Sequence, residues 1–170
     1  MVNLAGIQTD SIVDGPGIRT TFFCQGCPHH CEGCHNPETW PFAWGTPMET
    51  EKMVAIVTGN PLCRGVTFSG GEPFAQAEGF LSLARALKER GYEVASYSGY
   101  TFEALLRGTE AQRELLENID ILIDGPFLQK EKSLELAFRG STNQRILDVP
   151  KSLAAGEPVW ATSPRWLGEY

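Results

Sequence analysis

Short apolar segments alternate with helical segments through the centre of the chain, and this alternation limits the folds open to it. Runs rich in β-branched and aromatic residues predict five strands, at residues 18–24, 64–69, 92–97, 119–124 and 144–149. Residues 76–90 carry apolar side chains at i, i+3, i+4 and i+7, which predicts an amphipathic helix that ends at Gly91. Strands that alternate with helices form a parallel sheet with right-handed crossovers.

The length of the chain limits how far such a sheet can close. A complete eight-stranded barrel takes about 250 residues, and this chain has 170. A further strand at residues 158–161 would bring the sheet to about six parallel strands. The run IDILID at 119–124 is almost continuously apolar, which predicts a strand buried on both faces. We therefore predict an α/β fold in which one domain, residues 1–170, forms an open, incomplete (β/α) TIM-like barrel.

Charge and the first residues of the chain exclude several classes of partner. The 14 basic and 21 acidic residues give a net charge of −7, which argues against a nucleic acid held through its phosphates. The first 15 residues lack the basic region of a signal peptide, and no apolar run is long enough to span a membrane. Five cysteines, three of them clustered, favour metal binding in a reducing compartment. The sequence predicts a soluble, cytoplasmic protein.

Three cysteines, Cys27, Cys31 and Cys34, follow the first of these predicted strands at Cys-x3-Cys-x2-Cys spacing. Thiols this close in sequence do not pair readily as disulfides, and their spacing lets several sulfurs approach one ion or cluster. Iron–sulfur cubanes normally take four cysteine ligands. A cubane held by three would have one iron without a protein ligand, free to bind a small molecule.

Zinc is an alternative that the cysteine spacing leaves open. Zinc bound by three cysteines and one histidine is a common structural site, and His29, His30 or His35 could supply the fourth ligand. Spacing alone does not decide between the two metals. The two other cysteines, Cys24 and Cys63, are predicted to be small buried apolar residues.

A second motif, Gly70-Gly71-Glu72-Pro73, follows the second of the five predicted strands, and Ser98-Gly99 follows the third. Ligands of parallel α/β sheets bind at the carboxyl ends of the strands, so these segments and the cysteines should meet there. Glycines let a ligand approach the backbone, Glu72 offers a carboxylate suited to a cationic amine, and Pro73 restricts the turn. By itself the tetrapeptide could equally be an ordinary strand-to-helix turn.

Together these motifs resemble those of the radical S-adenosylmethionine superfamily. Cys27, Cys31 and Cys34 match its three cluster ligands, and Gly70-Gly71-Glu72-Pro73 matches its methionine-contacting motif. The segments VDGPGIRTTFF, SYSGYTFEALL, IDILIDGPF and FRGSTNQRI resemble the glycyl-radical activases, in particular the family that activates anaerobic (class III) ribonucleotide reductase. The resemblance covers roughly residues 7–148, and the residues from about 150 onward carry no part of it.

The resemblance implies an oxidoreductase that uses one [4Fe-4S] cluster and S-adenosyl-L-methionine. The reduced cluster would cleave S-adenosylmethionine, and a hydrogen atom would be removed from a glycine of the reductase large subunit. A flavodoxin-like protein would supply the electron. Two alternatives remain: an activase of pyruvate formate-lyase or another glycyl-radical enzyme, and a non-catalytic zinc-binding module.

The resemblance also assigns individual cofactor-binding residues. Gly33, Cys34 and His35 would hold the adenine, with His35 supplying a ring face, and Gly70 to Pro73 would hold the methionine end. It implies no catalytic residue beyond the cluster ligands. Only 35 residues separate Cys34 from Gly70 and they include a single cysteine, so one cluster is predicted. Asp124 follows a late strand where related activases hold a cation, but its expected partners are absent, so no cation site is predicted.

Overall fold

The computed structural model describes residues 1–168, which form one seven-stranded sheet with helices on one face. The strands are β1 (Val2–Ser11), β2 (Arg19–Cys24), β3 (Thr46–Met48), β4 (Gly65–Gly70), β5 (Glu93–Tyr97), β6 (Ile121–Asp124) and β7 (Arg145–Asp148). The α-helices are α1 (Thr50–Thr58), α2 (Ala77–Glu89), α3 (Phe102–Leu106), α4 (Glu110–Glu117) and α5 (Val149–Ala155). None of these helices has the length and hydropathy that a membrane span needs.

The strand order is β3-β1-β2-β4-β5-β6-β7, so the sheet is open, as predicted. The central strands β2, β4, β5 and β6 are parallel, whereas β1, β3 and β7 pair antiparallel at the edges. The prediction of about six parallel strands was therefore too high. The strand predicted at 158–161 forms only an isolated bridge between Trp160 and Leu147.

The connections explain why the edge strands run antiparallel. Parallel strands need a crossover of about a dozen residues or more, usually through a helix. Residues 12–18 are too few for one, so β2 turns back along β1. Residues 125–144 are long enough but contain no α-helix, and they return across the carboxyl edge of the sheet. As a result β7 starts where β6 ends.

The two faces of the sheet bury different cores, because side chains alternate along each strand. The helix-covered face packs residues such as Val94, Leu122 and Leu147 against α2 and α4. The concave face buries a smaller cluster that includes Ile121 and Ile123. The run IDILID is therefore buried on both faces, as predicted.

The smaller cluster is completed by residues that are distant in sequence. Ala161 and Trp166 from the end of the described chain pack against the concave face, and Tyr97 and Phe138 pack beside them. Trp166 is only 1% exposed. Residues 159–168 thus contribute to the core, although within them there is no regular strand or helix.

Candidate functional site

A cavity of about 510 Å³ opens at the carboxyl ends of the four parallel strands. Its wall contains the three clustered cysteines, the two glycines at the end of β4, the pair that follows β5 and the glycine after β6: Cys27, Cys31, Cys34, Gly70, Gly71, Ser98, Gly99 and Gly125. The cysteines and the glycine motif therefore lie in one site. This is the arrangement that the strand-end rule predicts.

The first part of the wall is the cysteine loop, residues 25–40. Backbone hydrogen bonds close it: Gly26 N–H donates to the Thr39 carbonyl at 2.7 Å, and Cys27 N–H donates to the Trp40 carbonyl at 3.1 Å. Gly33 has a φ of +75°, a conformation that glycine adopts without steric cost. These contacts direct Cys27, Cys31 and Cys34 toward the cavity, which all three line.

The three thiols differ in their surroundings. Cys27 is buried, whereas Cys31 and Cys34 are partly exposed. Burial raises the pKa of the Cys27 thiol, and the backbone N–H groups of His29 and His30 oppose that rise. The N–H of Asn36 lies 3.4 Å from the Cys34 sulfur. Backbone donors of this kind stabilise thiolate ligands of iron–sulfur clusters and tune their potential.

The three histidines considered as zinc ligands each have another contact. His29 Nε2 lies 2.7 Å from a Glu72 oxygen, the His30 ring stacks on Trp40 at 4.6 Å, and the His35 ring meets Phe127 edge-on at 5.3 Å. Within residues 1–168 no three His, Cys, Asp or Glu side chains converge on a position for one metal ion. A closed zinc site needs four ligands at about 2.0–2.3 Å. The three thiols in the cavity wall could each bind a different iron of one cluster.

Glu72 connects the loops that follow three strands. Its side chain is fully buried and accepts from the Phe74 N–H at 2.9 Å, the Ser98 hydroxyl at 2.9 Å and the Gly99 N–H at 2.7 Å, and it also contacts His29. Glu72 and Pro73 therefore lie behind the cavity wall, whereas Gly70 and Gly71 form part of it. In this structure the Glu72 carboxylate joins the walls of the site.

The two glycines of the motif are required by close backbone packing. Gly70 has a φ of +95°, and a Cβ there would lie 2.5 Å from the Cys24 nitrogen. A Cβ at Gly71 would overlap the carbonyl of Gly26. Gly71 N–H donates to the Cys24 carbonyl at 2.8 Å. The motif therefore packs directly against the start of the cysteine loop, which no larger residue would allow.

Residues predicted to contact an adenine occupy different positions. His35 lines the cavity and pairs with Phe127, which also lines it. Gly33 is not part of the wall, and a Cβ there would lie 3.0 Å from the Gln129 side chain. Phe127, Tyr97 and Asp14 line the cavity and were missed as site residues. Phe127 lies three residues beyond the carboxyl end of β6, so the strand-end rule could have found it.

Asp124 is held by a cationic side chain of the protein. It is 1% exposed and accepts a hydrogen bond from the Phe102 N–H at 2.7 Å. It also accepts hydrogen bonds from Nε and from a terminal nitrogen of Arg145. Hydrogen bonds from Arg145 to Asp124 and Glu103 raise the pKa of Arg145. Asp124 is thus paired with a cationic side chain of the protein itself.

The remaining wall of the cavity is the strap, which we define as residues 126–144. Its tip contributes Ser133, Leu134, Leu136, Phe138, Arg139 and Gly140 to the cavity. Its base is held by Gln144, whose amide nitrogen donates to the Gly125 carbonyl at 3.1 Å, and by Asn143, whose amide donates to the Pro126 carbonyl at 2.8 Å. The strap adds apolar side chains to the cavity wall, and its Phe127 and Gln129 touch the cysteine loop at His35 and Gly33.

The geometry can be compared with known proteins. Residues 13–147 match the family described as "4Fe-4S single cluster domain". The crystal structure of QueE from Escherichia coli superposes with a TM-score of 0.51 over 72% of this chain and 69% of that one, at 17% sequence identity, which supports the open-barrel fold. The chain therefore belongs to the 4Fe-4S single cluster domain family, in which one cluster is bound, as the cysteine count predicted.

Curated relatives define the branch of this family. The anaerobic ribonucleoside-triphosphate reductase-activating protein of Vibrio cholerae is 36% identical over 79% of this chain and 90% of the relative. The protein of the same name from Escherichia coli K12 is 33% identical over 79% of this chain and 91% of the relative. The pyruvate formate-lyase-activating enzyme of Clostridium pasteurianum is 34% identical over 71% of this chain but only 54% of the relative. The chain belongs with the anaerobic ribonucleoside-triphosphate reductase-activating proteins, which confirms the resemblance drawn from its motifs.

Proposed function

We propose that this protein is a radical S-adenosylmethionine activase that generates a glycyl radical on the large subunit of an anaerobic ribonucleoside-triphosphate reductase. One observation carries the proposal. Three cysteine thiols and two backbone-exposing glycines line one cavity at the carboxyl ends of parallel strands. The relatives support the choice of partner, because the chain matches the reductase activases over 90% of their length and the lyase activase over 54%.

The residues of the cavity have separate roles in this proposal. Cys27, Cys31 and Cys34 would hold the [4Fe-4S] cluster, and the backbone of Gly70 and Gly71 would receive the methionine end of S-adenosylmethionine. His35 and Phe127 present two aromatic rings at the other side, where an adenine can stack. When bound, the two cofactors supply reductive cleavage of a carbon–sulfur bond and abstraction of a hydrogen atom from glycine.

The protein's own contribution is to orient these groups and to keep water away. Glu72 connects the cysteine loop with the turns that follow β4 and β5, so the ligand thiols and the methionine site keep one relative position. Leu136 and Phe138 of the strap give the cavity apolar surface. An apolar wall protects a reactive intermediate from side reactions with solvent.

The cysteines bear on the compartment in which the reaction takes place. All five cysteines of the chain are free, which supports a reducing compartment, and we place the reaction in the cytoplasm. We propose a flavodoxin-like protein as the electron donor. No nucleic acid or membrane is needed as a partner, in keeping with the net charge of −7.

Anaerobic reconstitution with iron and sulfide tests the proposal. We expect a brown protein with about four irons per chain that forms 5′-deoxyadenosine from S-adenosylmethionine in the presence of a reductant. Mixing it with the reductase large subunit should give a glycyl-radical signal in electron paramagnetic resonance. A signal with pyruvate formate-lyase and none with the reductase would identify the other activase, and a colourless protein with bound zinc would overturn the enzyme assignment.

A further inference from the structure

The last described residues, which we call the tail (159–168), lie outside the matched range 13–147. The tail first follows the free edge of β7, where the Ala161 N–H donates to the Ile146 carbonyl at 2.9 Å. It then turns and inserts Trp166 into the concave face of the sheet. The tail therefore comes to lie beneath the strap.

Trp166 has partners on several sides. Its indole Nε1 donates to a Glu93 oxygen at 3.3 Å, and its ring lies 5.2 Å from the guanidinium carbon of the fully buried Arg19. Its ring also meets the Phe138 ring edge-on, with 5.5 Å between centroids. A buried tryptophan with a hydrogen-bonded N–H and a stacked cation is strongly held in place. Trp166 is thus a rigid support for Phe138.

The tail contacts three consecutive residues of the strap, 137 to 139. A Cβ at Gly168 would lie 2.8 Å from the Cβ of Ala137, and Trp166 contacts Phe138. The Trp160 ring lies 5.3 Å from the guanidinium carbon of Arg139. Phe138 and Arg139 line the cavity. The tail therefore reaches the site without entering it.

The strap needs such a support at this point. Phe138 has a φ of +62°, a left-handed conformation that is costly for an aromatic residue and persists only where its surroundings hold it. Two contacts hold it, the Trp166 ring and a hydrogen bond from the Tyr97 hydroxyl to the Phe138 carbonyl at 2.8 Å. Tyr97 also lines the cavity, so the same contacts shape the wall.

We infer that the tail is a clamp on the strap and that Trp166 is a positioning residue, which sets the apolar wall of the cavity through Phe138. The inference builds on the proposed function, since it names a residue that would shape the S-adenosylmethionine site from outside. It also assigns a structural role to the tail, which lies outside the residues 13–147 that match the family.

Hydrogen exchange on the protein without cofactors tests the clamp independently of catalysis. Replacing Trp166 by alanine should speed exchange of the amides of residues 133–140 by about tenfold or more, while the amides of β4 and β5 change much less. The Gly168→Ala change is a second variant that leaves the core tryptophan in place: its added methyl group would lie 2.8 Å from the Cβ of Ala137, and the φ of +79° at Gly168 is itself costly for alanine. It should speed exchange in the same segment.

The control is a core residue on the other face of the sheet. Leu115 is fully buried on α4, among the helix-side core, and its replacement by alanine should lower global stability without selective exchange in the strap. If Trp166→Ala and Gly168→Ala leave strap exchange unchanged, or speed it no more than Leu115→Ala does, the clamp is refuted.

Kinetics of the reconstituted enzyme test the positioning role. Trp166→Ala should raise the KM for S-adenosylmethionine about tenfold and change kcat less, and Trp166→Phe should restore most of the KM because it keeps a ring against Phe138. A loosened strap with an unchanged KM would show that Trp166 is only structural. If the wild-type protein forms no 5′-deoxyadenosine, the proposed function fails, while the exchange result still decides the clamp.

Discussion

The two walls of the cavity are held in different ways. On the wall that carries the cysteines, the buried Glu72 carboxylate receives hydrogen bonds from the loops after β4 and β5 and contacts His29. On the second wall, the strap leaves Arg139 Nε and Asn143 Oδ1 buried without a hydrogen-bond partner, and no other such side-chain atom occurs in residues 1–168. Unpaired buried polar atoms are costly. Within that range the cysteine wall thus leaves no buried side-chain polar atom unpaired, whereas the strap leaves two and is also contacted by the tail at Ala137, Phe138 and Arg139.

This difference matches the tasks that the two walls have in the proposed function. Cluster ligands must keep a fixed geometry, which a saturated network of hydrogen bonds provides. The strap, with two buried polar atoms unpaired, is the less completely bonded wall, and the less stable parts of a fold are those in which local motion concentrates. The contrast can be tested by substitutions on each side.

The largest effect is expected from the thiols of the cysteine wall. Cys31→Ala removes a partly exposed thiol that lines the cavity, and it should abolish formation of 5′-deoxyadenosine because the cluster loses one of only three ligands. Cys63→Ala is the matched control, since Cys63 is buried beside Gly65 and Thr20 and lies outside the cavity. Iron content and product formation are the measurements. Turnover lost in Cys63→Ala and kept in Cys31→Ala would reverse the ligand assignment.

The next effect is expected from the carboxylate that joins the loops. Glu72→Gln should lower the free energy of unfolding by about 2–4 kcal/mol. The glutamine NH2 would replace one carboxylate oxygen, so the backbone N–H of Phe74 or of Gly99 would face a donor and lose its acceptor. Urea unfolding of the cofactor-free protein measures it. Glu78→Gln, on the exposed first turn of α2, should change stability by less than about 0.5 kcal/mol. Equal effects of the two changes would contradict the bracing role of Glu72.

A smaller effect is expected where the two walls meet. Phe127→Ala removes the ring that pairs with His35, and it should weaken S-adenosylmethionine binding about tenfold if the adenine stacks there. Phe127→Leu keeps apolar volume but lacks a π face, so it should recover only part of the affinity. Binding to the reconstituted protein is the measurement. Full affinity in Phe127→Ala would place the adenine elsewhere.

The smallest effect is expected at the tip of the strap. Leu134 is 87% exposed, so Leu134→Ala should change the free energy of unfolding by less than about 0.5 kcal/mol. The same substitution at the fully buried Leu115 should cost about 2–5 kcal/mol. Thermal or urea unfolding compares them. A large loss from Leu134→Ala would mean that the tip contributes to the core and is not a separate, weakly held wall.

The sequence by itself determined the central features of the site. The spacing of Cys27, Cys31 and Cys34 and the glycines at 70 and 71 are local signals, and the strand-end rule brings them together once β2 and β4 are recognised. The helix at Ala77–Glu89 and the doubly buried strand β6 follow from periodicity and apolar runs in the same way. These features depend on residues near one another in the chain.

Only the tertiary structure decided which isolated side chains meet. Glu72 was predicted to offer a carboxylate to a cationic amine, and the tertiary structure also places that carboxylate between loops after three strands, whose hydrogen bonds it accepts. Trp166 had no local pattern, yet it packs against Phe138, and β7 turned antiparallel because its connection formed a strap instead of a helix. Backbone periodicity is a local property, whereas the partner of a single side chain is set by how distant segments close around one core.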